Sequence, residues 1–270
     1  MPELPEVETV RNTLKLSILN KKILDIDIYY NKIIKNVASD EFKKCLINQT
    51  FRDIQRKGKY LICILDDYYL IVHLRMEGKF FLMHDEKLSK HDHIVFKFND
   101  SNLRYNDTRK FGTMYVFNKD INIYDTYPLN SLGLEPFDLS FNYNYLKEKL
   151  YNKKEPIKSA LLDQHVVAGL GNIYVDEVLF MSKINPLKKA NKLNDTEINE
   201  IIKNSKIVLE KAIKLGGTTI RSFQSSHDIT GRFQNELLVH TKDECIYCHN
   251  KILKIKVGGR GTYYCPNCQK

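Results

Sequence analysis

The sequence predicts an α+β chain. A helix-led, β-rich N-terminal region is followed by a helical region and then by a four-cysteine hairpin. Three patterns carry this. Apolar residues recur at helical spacing directly after residue 5. Short apolar runs separated by turn signals fill residues 22–118. Two Cys-x-x-Cys pairs close the chain. At 270 residues and 43% hydrophobic side chains, the chain is long enough for more than one domain with a buried core. The net charge of +9 suits a polyanionic partner such as nucleic acid or an acidic membrane surface. No apolar run approaches the length of a membrane span, and the N-terminus lacks a basic-then-apolar signal, so a cytoplasmic protein with reduced thiols is expected.

Residues 5–19 read as the first helix. Pro5 fits its first position, Glu6 and Glu8 suit the positive end of its dipole, and Val7, Val10 and Leu14 form the stripe that anchors it to a core. The β-rich region begins with Leu24–Tyr30. Tyr60–Leu65 and Tyr68–Leu74 read as a hairpin turning at Asp66-Asp67, and strands follow at Lys79–Met83, His93–Phe98, Asn102–Tyr105 and Thr113–Phe117. Many short strands of this kind make a sandwich or a barrel. Residues 118–139 contain Pro128, Gly133 and Pro136 and read as the boundary loop. Residues 141–214 are mostly helical. Their clearest helix, 195–214, has Asn194 or Asp195 as N-cap and ends at Gly216-Gly217. The polar stretch Thr218–Asn235 has no period and reads as a long functional loop.

Cys245, Cys248, Cys265 and Cys268 have the spacing of a four-cysteine zinc site, with 16 residues between the pairs. Such a site is structural, so its interest lies in the hairpin it displays. That hairpin carries Lys254, Lys256 and Arg260 among Gly258, Gly259 and Gly261, and suits phosphate. Cys63 sits in an apolar run and reads as a buried thiol.

The chain starts Met1-Pro2-Glu3-Leu4-Pro5-Glu6. Small Pro2 lets the initiator Met be removed, which leaves a secondary amine. An α-amine titrates at about 7.7–8.0, against about 10.4 for lysine, so more of it is a free nucleophile near neutral pH. On attacking a sugar aldehyde carbon, a secondary amine gives an iminium that has no second N–H to lose. That is an electron sink suited to expelling the flanking phosphates. Glu3 can trade protons with the same sugar. The competing reading is an ordinary disordered Met-Pro start.

Three signatures in chain order bear on that choice: Met-Pro-Glu-Leu-Pro-Glu-Val-Glu-Thr at the start, Gly-Leu-Gly-Asn-Ile-Tyr at 169–174, and the closing Gly-Arg-Gly-Thr-Tyr-Tyr-Cys-Pro-Asn-Cys-Gln. Together they resemble formamidopyrimidine-DNA glycosylases, bacterial enzymes that excise oxidised purines. The resemblance implies an N-terminal β-sandwich over 2–130, a helix–two-turns–helix domain over 131–235 and a zinc finger over 236–270, in a cytoplasmic monomer that acts on damaged double-stranded DNA without a membrane partner. It also implies one structural zinc, excision of 8-oxoguanine and formamidopyrimidines, and an AP lyase step. Pro2 matches the nucleophile and Glu3 the proton donor. Lys59 matches the hairpin lysine that assists β-elimination, and Arg260 the finger arginine linked to δ-elimination. Glu6 is expected to orient water or the sugar. His91, Arg109, Lys153 and Asn172 match DNA-binding positions, and Met76, Arg109 and Phe111 the residues that fill the gap left by a flipped base. His91-Asp92-His93 is read as a phosphate contact at His91 rather than a metal site.

Two loops depart from the family pattern. Gly-Met-Ser-Gly becomes Arg75-Met76-Glu77-Gly78, where Arg75 is expected to pair with the new carboxylate. Asp-Pro-Arg-Arg-Phe-Gly becomes Asp107-Thr108-Arg109-Lys110-Phe111-Gly112, where loss of proline is expected to loosen the loop. Two other functions compete with the oxidised-purine reading. One is an endonuclease VIII-like preference for oxidised pyrimidines, against which Leu4 argues because that branch usually carries Gly there. The other is a non-catalytic nucleic-acid binder, which has no need of a free Pro2.

Overall fold

The computed structural model describes residues 1–84, 86–218, 223–224 and 231–270. By its internal contacts the chain forms two compact units, Met1–Asn130 with Thr219–Gly231, and Ser131–Thr218 with Arg232–Lys270.

In the first unit, α1 (Leu4–Ile18) buries Leu4, Val7, Val10, Leu14 and Ile18. It begins one residue before the expected Pro5, because Glu3 is the N-cap of a reciprocal capping box with Glu6. The unit continues with β1 (Asp25–Ile28), α2 (Ser39–Leu46), β2 (Asp53–Lys57), β3 (Tyr60–Ile64), β4 (Tyr68–His73), β5 (Lys79–Met83), β6 (Asp92–Lys97), β7 (Asn102–Asn106) and β8 (Thr113–Asn118). Neither α2 nor β2 is expected from the sequence. Their apolar signal is too thin: α2 buries only Phe42 and Leu46, and β2 only Ile54.

Strands β2, β3, β4 and β8 form one antiparallel sheet in that order. The other sheet runs β1-β6-β7-β5 and ends on the two-residue strand Phe223–Gln224, which pairs parallel with Phe80–Phe81. One apolar core takes Ile26, Phe96 and Leu103 from this sheet, Leu61, Val72 and Met114 from the four-stranded sheet, and Val7, Val10 and Leu14 from α1. Two sheets that share a core in this way make a sandwich.

The second unit contains α3 (Tyr143–Leu150), α4 (Ile157–Leu162), α5 (Asn172–Met181) and α6 (Asp195–Lys214). Asn194 caps α6, its side chain accepting the Glu197 N–H at 2.9 Å. Gly216 and Gly217 end that helix at φ +75° and +76°, where the Gly217 N–H reaches back to the Ala212 carbonyl at 2.8 Å. With the short Phe223–Gln224 strand counted as β9, the C-terminal hairpin is β10 (Leu253–Val257) and β11 (Arg260–Tyr264), paired antiparallel. Of the expected loop Thr218–Asn235, residues 219–222 and 225–230 lie outside the described residues. Among the described residues, no helix is long and apolar enough to cross a membrane.

Candidate functional site

The N-terminus is held by the start of α1. Glu3 is buried, and its N–H donates to the Glu6 Oε2 at 2.8 Å. Glu6 therefore caps the backbone immediately behind Pro2, which is half-buried. The helix is tied in turn to the Lys59 turn. Arg56 on β2 donates to Glu8 at 2.8 Å and to the Gly58 carbonyl at 2.9 Å. Gly58 and Lys59 form the two-residue turn of the β2–β3 hairpin, closed by Lys57 opposite Tyr60, with Gly58 at φ +57°. Burial alone would raise the Glu8 carboxyl, but hydrogen bonds from Arg11 and Arg56 outweigh it and hold the carboxyl below its usual range. Lys59 is 4% exposed, an uncommon setting for a lysine. Burial, with the cations of Arg75 and Lys59 adding to it, pushes the His73 imidazole down to about 3. His73 is therefore neutral near pH 7, and its Nδ1 accepts the Arg75 N–H at 2.9 Å.

That hydrogen bond opens the loop that carries Met76. Arg75 has φ +54°, and Lys110 has φ +58°. Each of these left-handed, non-glycine residues stands directly before an expected gap-filling residue, Met76 or Phe111. The second loop is organised by Asp107, which is fully buried. Its carboxylate accepts backbone N–H groups from Arg109 at 3.0 Å, Phe111 at 2.9 Å and Gly112 at 2.8 Å. Its own backbone accepts from His93 Nε2 at 2.8 Å and donates to the His91 carbonyl at 3.0 Å. Buried Tyr105 lies under both loops. A Cβ on Gly78 would stand 2.3 Å from its hydroxyl, and one on Gly112 1.6 Å. On this frame Arg109 and Phe111 are exposed, with the guanidinium 4.8 Å from the ring centroid.

The two departures from the family pattern meet here. The Thr108 hydroxyl donates to the Glu77 carboxylate, so the partner of Glu77 is Thr108 and not the expected Arg75. The expected loosening of the proline-less loop is offset by this tie and by the three amides on Asp107. Two histidines two residues apart would share a face of a regular strand. Here His91 lies in the turn before β6, and a bulge between Asp92 and Ile94 separates the buried His93 from it.

In the second unit, Asn172 is the first residue of α5, and its Nδ2 donates to the Gly261 carbonyl at 3.0 Å. Its Oδ1 is buried and has no hydrogen-bond partner among the described residues. Lys153 is occupied by Asp163 at 3.0 Å and Glu155 at 3.3 Å. The Asp163 hydrogen bond is the main reason that its ammonium is held above the usual lysine range. Arg260 is exposed at the tip of the β10–β11 hairpin, whose Gly258-Gly259 turn has φ +54° and +76°.

The four cysteine sulfurs lie within 4.8 Å of one another, with Cys245 3.8 Å from Cys268 and Cys248 3.5 Å from Cys265. Tetrahedral zinc with Zn–S bonds of about 2.3 Å sets its sulfurs about 3.8 Å apart, so the donor set and the spacing fit one structural zinc. The cluster is anchored to α5. Buried Glu177 accepts the backbone N–H groups of Leu238 at 2.7 Å, Val239 at 3.1 Å and His240 at 2.8 Å.

Three family models match the chain in order: the formamidopyrimidine-DNA glycosylase N-terminal domain at residues 1–114, the helix–two-turns–helix domain of the same enzymes at 132–224, and the zinc finger found in these enzymes and in isoleucyl-tRNA synthetase at 243–270. The chain belongs to the formamidopyrimidine-DNA glycosylase family. A formamidopyrimidine-DNA glycosylase of Oceanobacillus iheyensis is 50% identical, with 100% of this chain and 98% of that protein covered. One from Mycoplasma genitalium is 45% identical, over 100% and 96%. Among solved structures, a variant of the Lactococcus lactis enzyme in complex with DNA containing Fapy-dG superimposes with a TM-score of 0.93 at 44% identity, over 100% of both chains. The same Lactococcus enzyme with DNA containing an abasic site gives 0.91 at 44%, over 99% of both.

Several residues that organise this glycosylase carry no sequence motif of their own. Arg56, Tyr105 and Glu177 are ordinary residues in the linear chain, and the role of Asp107 beneath its loop is not visible in the motif that contains it. The one usable signal is the Asp107 to Gly112 spacing. A carboxylate followed within five residues by a tight, glycine-ended turn is a common way of gathering backbone amides.

Proposed function

We propose that the protein is a bifunctional DNA glycosylase and AP lyase that excises 8-oxoguanine and formamidopyrimidines from duplex DNA. The observation that carries this is Pro2, which stands directly before a capped, core-packed helix in a chain of this family. The Pro2 amine attacks C1′ of the damaged nucleotide. An N–C1′ bond forms, the glycosidic bond breaks, and the base leaves with a proton. Glu3 protonates the ring oxygen as the sugar opens, giving the iminium. Loss of a C2′ proton then expels the 3′ phosphate, assisted by Lys59, and a second elimination expels the 5′ phosphate, with Arg260 gripping phosphate. Glu6 fixes the Glu3 backbone through its Oε2 and orients water or the sugar.

Met76, Arg109 and Phe111 fill the gap left by the flipped base, and Arg109 has the donors to read the orphaned cytosine. His91, Lys153 and Asn172 bind the DNA backbone. In this reading residues 2–130 carry the chemistry, residues 131–235 and 236–270 hold DNA, and the enzyme works as a monomer in the bacterial cytoplasm. Binding has a steep salt dependence, because several cations neutralise phosphates.

Borohydride trapping on an oligonucleotide with 8-oxoguanine opposite cytosine tests this. Covalent complex forms with the mature protein, and fails with Pro2→Gly or with an uncleaved N-terminal extension. Undiminished trapping in both variants would end the Pro2 mechanism. Cleavage of dihydrothymine but not 8-oxoguanine would end the lesion assignment.

A further inference from the structure

A carboxylate on α5 has no part in the proposed chemistry, yet it holds the hairpin that presents Arg260. The Asp176 side chain is fully buried. Its Oδ1 accepts from the equally buried Lys158 Nζ at 2.7 Å. Its Oδ2 lies 2.8 Å from His240 Nδ1 and accepts the Tyr263 backbone N–H at 3.2 Å. Lys158 spends a second donor on the Gly261 carbonyl at 3.0 Å, the same oxygen that accepts from Asn172 Nδ2 at 3.0 Å. Gly261 directly follows Arg260. Both lone pairs of one carbonyl are thus taken, and two residues further on the backbone is pinned again at the Tyr263 amide. The hairpin is fixed at two successive points from one carboxylate, one directly and one through Lys158.

We infer that Asp176 is a positioning residue which, through Lys158 and the Gly261 carbonyl, sets Arg260 and Asn172 as a single phosphate-gripping unit. Stability alone does not account for the arrangement, because a buried ion pair is generally no more stabilising than well-packed apolar residues of the same volume. What the pair supplies is direction. A carbonyl that takes two donors at fixed angles cannot rotate, so the strand that carries Arg260 cannot pivot about its glycine turn. Glycines at 258, 259 and 261 leave that turn little stiffness of its own. A displacement of about 1 Å at such a contact is enough to cost on the order of 100-fold in rate.

This inference rests on the phosphate-gripping roles proposed above for Arg260 and Asn172. The test compares Asp176→Asn, Arg260→Ala and the double variant in the full-length, zinc-loaded enzyme. KM and kcat for an 8-oxoguanine duplex are measured together with the ratio of δ- to β-elimination products. Asp176→Asn is expected to raise KM about 10- to 100-fold and to lower the share of δ product. It adds less in the Arg260→Ala background than it does alone, because the Arg260 share of the grip is already gone. If Asp176→Asn does not fold, Lys158→Met with Asp176→Leu removes both charges and carries the same comparison.

Full additivity of the two changes, or a wild-type product ratio in a folded and zinc-loaded variant, overturns the inference and leaves the functional reading intact. An Arg260→Ala enzyme with unchanged KM and product ratio overturns the reading of Arg260, and this inference with it.

Discussion

Two carboxylates, Asp107 and Asp176, are both removed from water, and each holds a turn that offers an exposed arginine. They do it differently. Asp107 gathers three backbone amides of its own loop, within five residues. Asp176 reaches a hairpin far along the chain, through a buried lysine and the backbone amide of Tyr263. In the first case the charge is spread over neutral donors, two of them the amides of the exposed residues Arg109 and Phe111, which solvent could serve if the carboxylate were lost. In the second a full positive charge is committed to the interior, held there by its counter-charge and the Gly261 carbonyl. Local amide cradles are therefore forgiving, whereas buried ion pairs are not.

The largest expected effect follows from that asymmetry. Asp176→Ala takes the counter-charge from the buried Lys158 ammonium and should cost about 3–5 kcal/mol of unfolding free energy. Asp107→Ala should cost about 1.5–3 kcal/mol, since the amides of exposed Arg109 and Phe111 can turn to water. Urea titrations of the two variants measure this directly, and a larger loss at Asp107 would reverse the comparison.

Acid should act on the first unit through His73. Its folded pKa is depressed to about 3 from an ordinary 6.5, so between those values the unfolded chain takes up a proton that the folded chain refuses. The stability from His73 is complete above pH 6.5 and drains away as pH falls toward 3. Stability measured from pH 7.5 to 4.5 should show this slope, and His73→Gln should flatten it. An unaltered slope in that variant would exclude His73 as its source. Glu8, with its carboxyl held below the usual range, adds its own loss only at lower pH, as it too becomes protonated.

The smallest effect belongs to the exposed tie between Thr108 and Glu77. Thr108→Val should change stability by less than about 1 kcal/mol, because both side chains face water. What it should change is the coupling between the Met76 loop and the Arg109–Phe111 loop. This is read as weaker discrimination between cytosine and adenine opposite the lesion in single-turnover excision. Unchanged discrimination would leave the tie without a function.

Legibility in the sequence followed the range of the forces involved. The helix behind Pro2, the β3–β4 hairpin turning at Asp66-Asp67, helix 195–214 and the four-cysteine site all rest on periodicity or fixed spacing within a few turns of chain, and each can be read there. α2 and β2 could not be, because each buries too few apolar side chains to leave a period. The pairing of Glu77 was misassigned to Arg75 for a related reason. Arg75 is the nearest cation in sequence, while the fold brings a hydroxyl from 31 residues away.

By itself, then, the sequence determined the helix that follows Pro2, the zinc ligands, the order of the helical and β-rich regions, and the family, since each depends on residue type and short-range spacing. Only the tertiary structure decided what steadies those residues. Arg56 between Glu8 and the Lys59 turn, Tyr105 beneath two glycines, and Asp176 with Lys158 beneath the hairpin all join positions with no local pattern between them. Their partners are set by burial, which leaves a polar group no choice but to find whichever donor or acceptor the fold brings within reach.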